Sequence, residues 1–210
     1  MLWAASLVVL AAASLAGGRS SIGHHDATLA QHDITRRRLS QTPDGCALYI
    51  AGPVVASTDN QVATVDSLQD YELTFTMELA SDWVASTGWY QQILHIGDSQ
   101  GQRLPGVWFK DTQNYMIVRQ SHSYCENCCC QYGTDVHHGE FAAGETYDIK
   151  IIVESNQMAV YVDGALVGTA SGPATYTAAG AKVYVGDPWY PAAKVTLSDI
   201  YLKEIAAPTP

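Results

Sequence analysis

The sequence predicts an all-β fold, a two-sheet antiparallel sandwich of the jelly-roll kind. Three observations carry this expectation. Across residues 71–205 apolar and polar positions alternate with period two, segment after segment. No stretch there sustains a helical period. The strand-like runs are separated by turn signals, among them Ser155-Asn156 and Asp163-Gly164, which suit two-residue hairpins. The 210 residues amount to about one domain.

The elements follow in order. CALYI and QVATV are short strands. YELTFTMEL is the clearest, with Tyr71, Leu73, Phe75, Met77 and Leu79 on one face and Glu72, Thr74, Thr76 and Glu78 on the other. GWYQQILHIG reads as a mostly buried strand ending in a glycine turn, followed by GVWF and YMIVRQ. After a cysteine-rich loop come ETYDIKIIVE, QMAVYVD, ALVGTA and AKVYVGD. In the last segment, KVTLSDIYLKEI, Val195 and Leu197 share one parity while Ile200 and Leu202 share the other, so a β-bulge is expected near Ser198-Asp199. About ten short strands with antiparallel connections form the sandwich. Trp83, Trp89 and Trp108 are expected in the core, and His95, set among Ile93, Leu94 and Ile96, in a structural role.

Residues 2–15 are almost wholly apolar and are followed by Ala16, Gly17 and Gly18. The run is shorter than the ~20 residues of a spanning helix, so residues 1–18 read as a secretory signal peptide, although no Lys or Arg precedes it. Residues 19–45 are polar, hold three His and the triplet Arg36-Arg37-Arg38, and read as a flexible leader or a propeptide ending near Arg38. The domain is expected over residues 46–206, with a tail at 207–210. The expected location is extracellular, with no later membrane span. No Asn-x-Ser/Thr triplet occurs, so N-glycosylation is not expected. Eleven Lys and Arg against 21 Asp and Glu give a formal charge of −10, which argues against nucleic acid as a partner.

The stretch 71–205 resembles the concanavalin A-like lectin/glucanase superfamily in its laminin-G-like branch. The resembling segments are YELTFTMEL, WYQQILHIGDSQGQRLPGVWF, GETYDIKIIVESNQMAVYVDG and VYVGDPWYPAAKVTLSDIYL. The resemblance implies a secreted or cell-surface module that binds glycans or proteins, often with a calcium ion at the sandwich rim. The same sandwich also carries hydrolases and lyases, so chemistry must be sought in the residues. Sandwich hydrolases of this superfamily set carboxylates on alternating positions of one strand, as E-x-D-x-E or E-x-D-x-x-E, and neither pattern occurs. Glu72 and Glu78 share a face but stand about 20 Å apart at ~3.3 Å per residue, too far to serve one glycosidic bond. Alginate lyases, a related sandwich, use Gln-x-His with a Tyr and an Arg. Here Gln92 and His95 are three apart, which on a regular strand places them on opposite faces. No catalytic residue is assigned.

Candidate binding groups lie in two loops. GDSQGQRLPG offers Asp98, Gln100 and Arg103 on a glycine-rich turn. A calcium ion wants six to eight oxygens, so Asp98 would need Asp111 or Asp187 to join it. The competing reading is a plain polar turn. GDPWYPAAK carries Asp187, Trp189 and Tyr190 between two prolines; the aromatics suit sugar stacking or an interface, or else Trp189 plugs the sandwich end. Cys125, Cys128, Cys129 and Cys130 crowd one loop and Cys46 stands alone. In a secreted chain disulfides are the default, with Cys46 bridged to the loop; the odd count leaves a thiol for an intermolecular bond. A Cys/His metal site with His137 and His138 fits the usual zinc spacing poorly.

The function expected is therefore a non-catalytic recognition module for extracellular glycan or glycoprotein. Alternatives are a matrix or cell-surface component cross-linked into a disulfide-bonded oligomer, and a secreted polysaccharide-degrading enzyme.

Overall fold

A computed structural model describes residues 46–66, 68–84, 90–110, 115–121, 133–139, 141–171 and 180–205. The signal-peptide, leader and tail segments lie outside these residues, as do Trp89, Asp111 and the four clustered cysteines. Every regular element among the described residues is a strand, thirteen in all. They are β1 (Cys46–Ile50), β2 (Val54–Val55), β3 (Gln61–Val65), β4 (Tyr71–Leu79), β5 (Gln91–Ile96), β6 (Gly106–Lys110) and β7 (Tyr115–Ser121). There follow β8 (Gly133–Gly139), β9 (Thr146–Glu154), β10 (Gln157–Val162), β11 (Ala165–Ser171), β12 (Ala181–Tyr184) and β13 (Val195–Glu204). No helix among the described residues is long and apolar enough to cross a membrane.

The strands form two antiparallel sheets facing each other. One runs β1-β13-β4-β9-β10-β11, with β2 also paired to β13; the other runs β3-β12-β5-β6-β7-β8. The all-β jelly-roll expectation holds. On β4 the alternation works as read: Tyr71, Leu73, Phe75, Met77 and Leu79 are buried between the sheets, and the glutamates and threonines face outward. Both hairpin signals act through backbone geometry. Ser155 and Asn156 take φ of 50° and 63°, and Asp163 and Gly164 take 50° and 78°. Two successive left-handed residues match the twist of the flanking strands. The bulge expected near Ser198-Asp199 is present: pairing with β4 shifts between Ser198 and Tyr201, and Asp199 has φ 50°. One extra residue there lets Val195, Leu197, Ile200 and Leu202 all reach the core.

Among the described residues the core between the sheets is apolar, and one buried hydrogen bond spans it. Tyr71 on β4 donates its hydroxyl to Gln120 Oε1 on β7 at 2.6 Å, with both side chains buried. At one end, aromatic rings stack in sequence: Trp83 on Phe109 (4.8 Å between centroids), Phe109 on Phe141 (5.4 Å) and Phe141 on Tyr147 (4.8 Å). These tilted and edge-on contacts add to the area the rings bury.

Because a buried acceptor without its donor is costly, Tyr71→Phe should destabilise the fold by about 1–3 kcal/mol. Adding Gln120→Leu should recover part of that loss, since neither polar partner then remains. Urea denaturation of the single and double variants measures both; a double variant less stable than the sum of the two single losses would show the bond is not the cause.

Candidate functional site

The outer face of the β3-β12-β5-β6-β7-β8 sheet is where candidate chemistry gathers. Cross-strand register orders it into rows. Tyr184, His95, Gly106, Arg119 and Asp135 stand side by side across β12, β5, β6, β7 and β8. The next row is Gln92, Trp108, Ile117 and His137. Their neighbours along the strands, Leu94, Ile96, Val107, Phe109, Met116 and Val118, belong to the core on the opposite face. Strands β5 to β7 are therefore covered on both sides.

Two findings correct the sequence reading. Pairing of β5 with β6 shifts between Gln92 and Leu94, so Ile93 is an extra residue. The bulge turns Gln92 and His95 to the same face, and the spacing argument that separated them does not hold. Trp108 is 4% exposed, yet it is buried on the outer face and not in the core. A Cβ built on Gly106 would come within 2.0 Å of Trp108 Cη2, so the indole lies flat across a position that must lack a side chain.

Two loops close over this face. Residues 97–105 are tied to β7 where Ser121 Oγ accepts from Arg103 N (3.1 Å) and donates to Gly101 O (2.6 Å). Residues 186–192 start at Gly186, with φ 90°, and lie along β5, where Gln92 N donates to Pro191 O (2.7 Å) and Ala193 N to Gln92 O (2.8 Å). Gln100 Nε2 donates to the Tyr190 hydroxyl at 2.9 Å and links the two loops. Trp189, half-buried, sits on His95 (5.1 Å between centroids) and Tyr184 (5.9 Å). It is a lid on the sheet's outer face, a position different from a plug at the sandwich end.

Under that lid His95 Nδ1 lies 3.4 Å from Asp187 Oδ2, and both side chains are fully buried. Burial, then the nearby Arg103 cation, pushes the imidazole down to about 3, despite the opposing pull of the Gln102 and Ser99 carbonyls. Burial pushes the Asp187 carboxyl up to about 6, against the Tyr190 and Trp189 N–H groups and Arg103. Those N–H groups donate to Asp187 Oδ1 at 2.9 and 3.0 Å, which makes Asp187 the residue that shapes the loop. Near neutral pH the contact joins a neutral imidazole to a carboxylate and is not an ion pair. His95 is sealed from solvent, so it is out of reach as a base for any external substrate.

Beside the lid a hollow of ≈60 Å³ remains open, lined by Tyr90, Arg103, Trp108, Ile117, Arg119 and Tyr190. Its three aromatics meet edge to face: Tyr90–Tyr190 at 5.9 Å, Trp108–Tyr190 at 6.0 Å and Tyr90–Trp108 at 6.5 Å. The Arg103 guanidinium lies over the Trp108 ring, 5.1 Å from its centroid. Arg119 donates from Nε and Nη2 to the two carboxylate oxygens of Asp135.

Of the residues singled out in the sequence, the structure brings Arg103 and Tyr190 into the hollow and sets Asp187 and Trp189 next to it. Asp98 stands apart and exposed, its carboxylate 3.9 Å from Lys182 Nζ and its backbone N–H donated to Gln102 Oε1 at 2.5 Å. Asp98 lies beside Lys182 and Asp187 is turned inward, while Asp111, the other carboxylate considered for a calcium ion, lies outside the described residues. Among the described residues no three His, Cys, Asp or Glu side chains group as metal ligands. Cys46 is a free cysteine whose Sγ donates to Leu48 O at 3.2 Å; its expected partners, Cys125, Cys128, Cys129 and Cys130, lie outside the described residues. Tyr90, Trp108, Ile117 and Arg119 complete the hollow and were not expected there.

No protein-family model matches the sequence, and neither does any curated protein. Solved structures share its architecture. The binding domain of botulinum neurotoxin DC in complex with SialylT is similar at TM-score 0.52 and 11% identity, over 78% of this chain and 49% of that one. Botulinum neurotoxin type C, whose cell entry depends on interaction with two ganglioside molecules, gives TM-score 0.53 and 10% identity over 80% and 50%. Trypanosoma rangeli sialidase in complex with sialic acid gives 0.51 and 13% over 84% and 36%. The shared feature is the sandwich. This chain spans about half the length of the toxin chains and about a third of the sialidase.

Asp187→Asn keeps the Oδ1 acceptor and removes the buried charge. The folded carboxyl is raised above its unfolded value, so its penalty is full above pH ~6 and vanishes as pH falls below ~4. The variant should gain up to about 2 kcal/mol over the parent at pH 7, and the gain should fade toward pH 4. Denaturant midpoints across that range check it; a gain independent of pH would contradict it.

Proposed function

We propose that this chain is a secreted, non-catalytic recognition module of the laminin-G-like kind that binds glycan through the aromatic hollow on β5 to β7. One observation carries the reading. Tyr90, Trp108 and Tyr190 converge on an opening that remains where two loops otherwise cover the sheet. Aromatic faces pack against the C–H faces of sugars, while Tyr and Trp still offer a polar edge. Ligand sites are concave, mostly apolar and furnished with a few placed polar groups, which describes this lining. The six lining residues include no carboxylate, so the paired acid and base of a glycosidase are not among them. The toxin structures with the same sandwich, one holding SialylT and one tied to gangliosides, lend support from architecture. Secretion rests on the apolar run at residues 2–15 and agrees with an extracellular glycan or glycoprotein as partner.

A glycan array probed with the described domain tests this. At least one glycan class should bind, and Tyr190→Ala or Tyr90→Ala should weaken it at least about tenfold, the worth of one ~1.4 kcal/mol stacking contact. Thermal melts of the same variants report whether the fold is intact. No binding to any glycan, or binding that both variants leave untouched, would overturn the assignment.

A further inference from the structure

Arg103 and Arg119 both line the hollow, and both are already committed within the protein. Arg119 donates from Nε and Nη2 to the two oxygens of Asp135, an acid that does not line the hollow. Arg103 lies over the Trp108 ring, 5.1 Å from its centroid, and its cation acts on the buried Asp187 carboxyl. Each arginine has a further interaction besides these. Two cations are thus offset by two carboxylates of the same layer, and no lysine or carboxylate is among the lining residues. We infer that the sugar seated in the hollow is uncharged: a neutral pyranose that presents its C–H face, with no carboxylate, sulfate or amine on the ring that enters. The inference rests on the glycan-binding reading and names the class of sugar.

A charged substituent entering such a site gives up its water and meets no uncommitted opposite charge. An anion has to compete with Asp135 and Asp187 for the guanidinium groups, in a chain of formal charge −10. An amine meets two guanidinium groups of its own sign. An uncharged sugar face bears neither cost.

The rest of the lining suits such a face. Tyr90, Trp108 and Tyr190 stand steeply to one another, with interplanar angles of 69° for Tyr90–Trp108, 76° for Tyr90–Tyr190 and 75° for Trp108–Tyr190. Apolar ring surface therefore meets a ligand from more than one direction, and Ile117 adds an aliphatic side chain. The polar groups at the aromatic rim are tyrosine hydroxyls, which both donate and accept, as sugar hydroxyls do. The Tyr190 hydroxyl accepts from Gln100 Nε2 at 2.9 Å and keeps its own proton to donate.

Isothermal titration with matched probes tests the inference, alongside the glycan array. One set is a galacto-oligosaccharide with its C6-carboxylate, 6-sulfate and 6-amino analogues; a second set repeats these on a gluco-oligosaccharide. Array hits should be neutral glycans, and wherever a set binds, its neutral member should bind at least about tenfold more tightly than each charged analogue. Affinity for the neutral glycan should change less than about twofold between 50 and 500 mM sodium chloride, since screening acts on charges. Asp135→Asn uncovers the Arg119 cation without altering a lining residue, so it should raise affinity for the carboxylate analogue at least about fivefold. Thermal melts report whether that variant folds, and the salt response of the parent needs no variant. Array hits confined to acidic, sulfated or amino glycans overturn the inference and leave the glycan-binding reading standing. So does a charged analogue that binds as tightly as its neutral parent, or an affinity that falls steeply with salt. A folded Asp135→Asn variant with unchanged affinity for the carboxylate overturns the charge compensation on which the inference stands. Failure of every glycan on the array and in the calorimeter overturns both readings.

Discussion

The rest of this structure depends on an asymmetry between two sheets. The outer face of the β4-containing sheet is wet, with Glu72, Thr74, Thr76 and Glu78 pointing to solvent along one strand. The other sheet has no comparable wet face at its centre. Strands β5 to β7 bury Leu94, Val107 and Val118 on one side and Gln92, His95, Trp108 and Ile117 on the other. A sheet with two apolar faces is unstable in water unless something covers the second. The two loops at residues 97–105 and 186–192 provide that cover, and the hollow lies where their cover ends.

Covering a sheet with loops brings backbone polar groups into a dry place, and the buried polar side chains answer that demand. Asp187 accepts from two successive N–H groups and Ser121 holds Arg103 by both its backbone N and O. Gln92 pairs on both sides with the returning chain at 191–193. His95 is the residue left over. It is buried, held neutral, and makes no good hydrogen bond with either nitrogen, although Asp187 Oδ2 is 3.4 Å away. Its contacts are with rings: Trp189, Tyr184 and Trp108. It acts as a flat spacer between the sheet and the lid, and the mechanical consequence is that Trp189 and Tyr190 stand at a fixed height above β5. The rim of the hollow thus rests on packed rings and hydrogen-bonded backbone, not on a free loop.

Where the chain alternates strictly, its fold could be read directly. YELTFTMEL, the two hairpins and the bulge near Ser198 were each legible because one face is apolar, the other polar, and turn residues sit between. The failures share one cause. In QQILHI and VWF the apolar residues are continuous, because both faces are covered, so parity carries no information about which side is core. That is why the Ile93 bulge and the outward turn of Trp108 were hidden. Strand β8, GTDVHHG, escaped for the opposite reason: it is an edge strand, and of its side chains described only Val136 is buried. The loop members of the site, Arg103 and Tyr190, announced themselves by chemistry. Trp108, Ile117 and Arg119 needed the register, which places them two strands deep on a face that the sequence pattern could not distinguish.

The acidic surface bears on how such a hollow would be used. At physiological salt the Debye length is about 8 Å, so the overall negative charge is felt weakly by a ligand group approaching from beyond that distance. Long-range steering of an anion toward the domain is therefore absent, and mild repulsion takes its place. Under the proposed reading, a glycan would be held by contact forces, chiefly the ring faces of Tyr90, Trp108 and Tyr190 around the hollow, where water is already partly excluded.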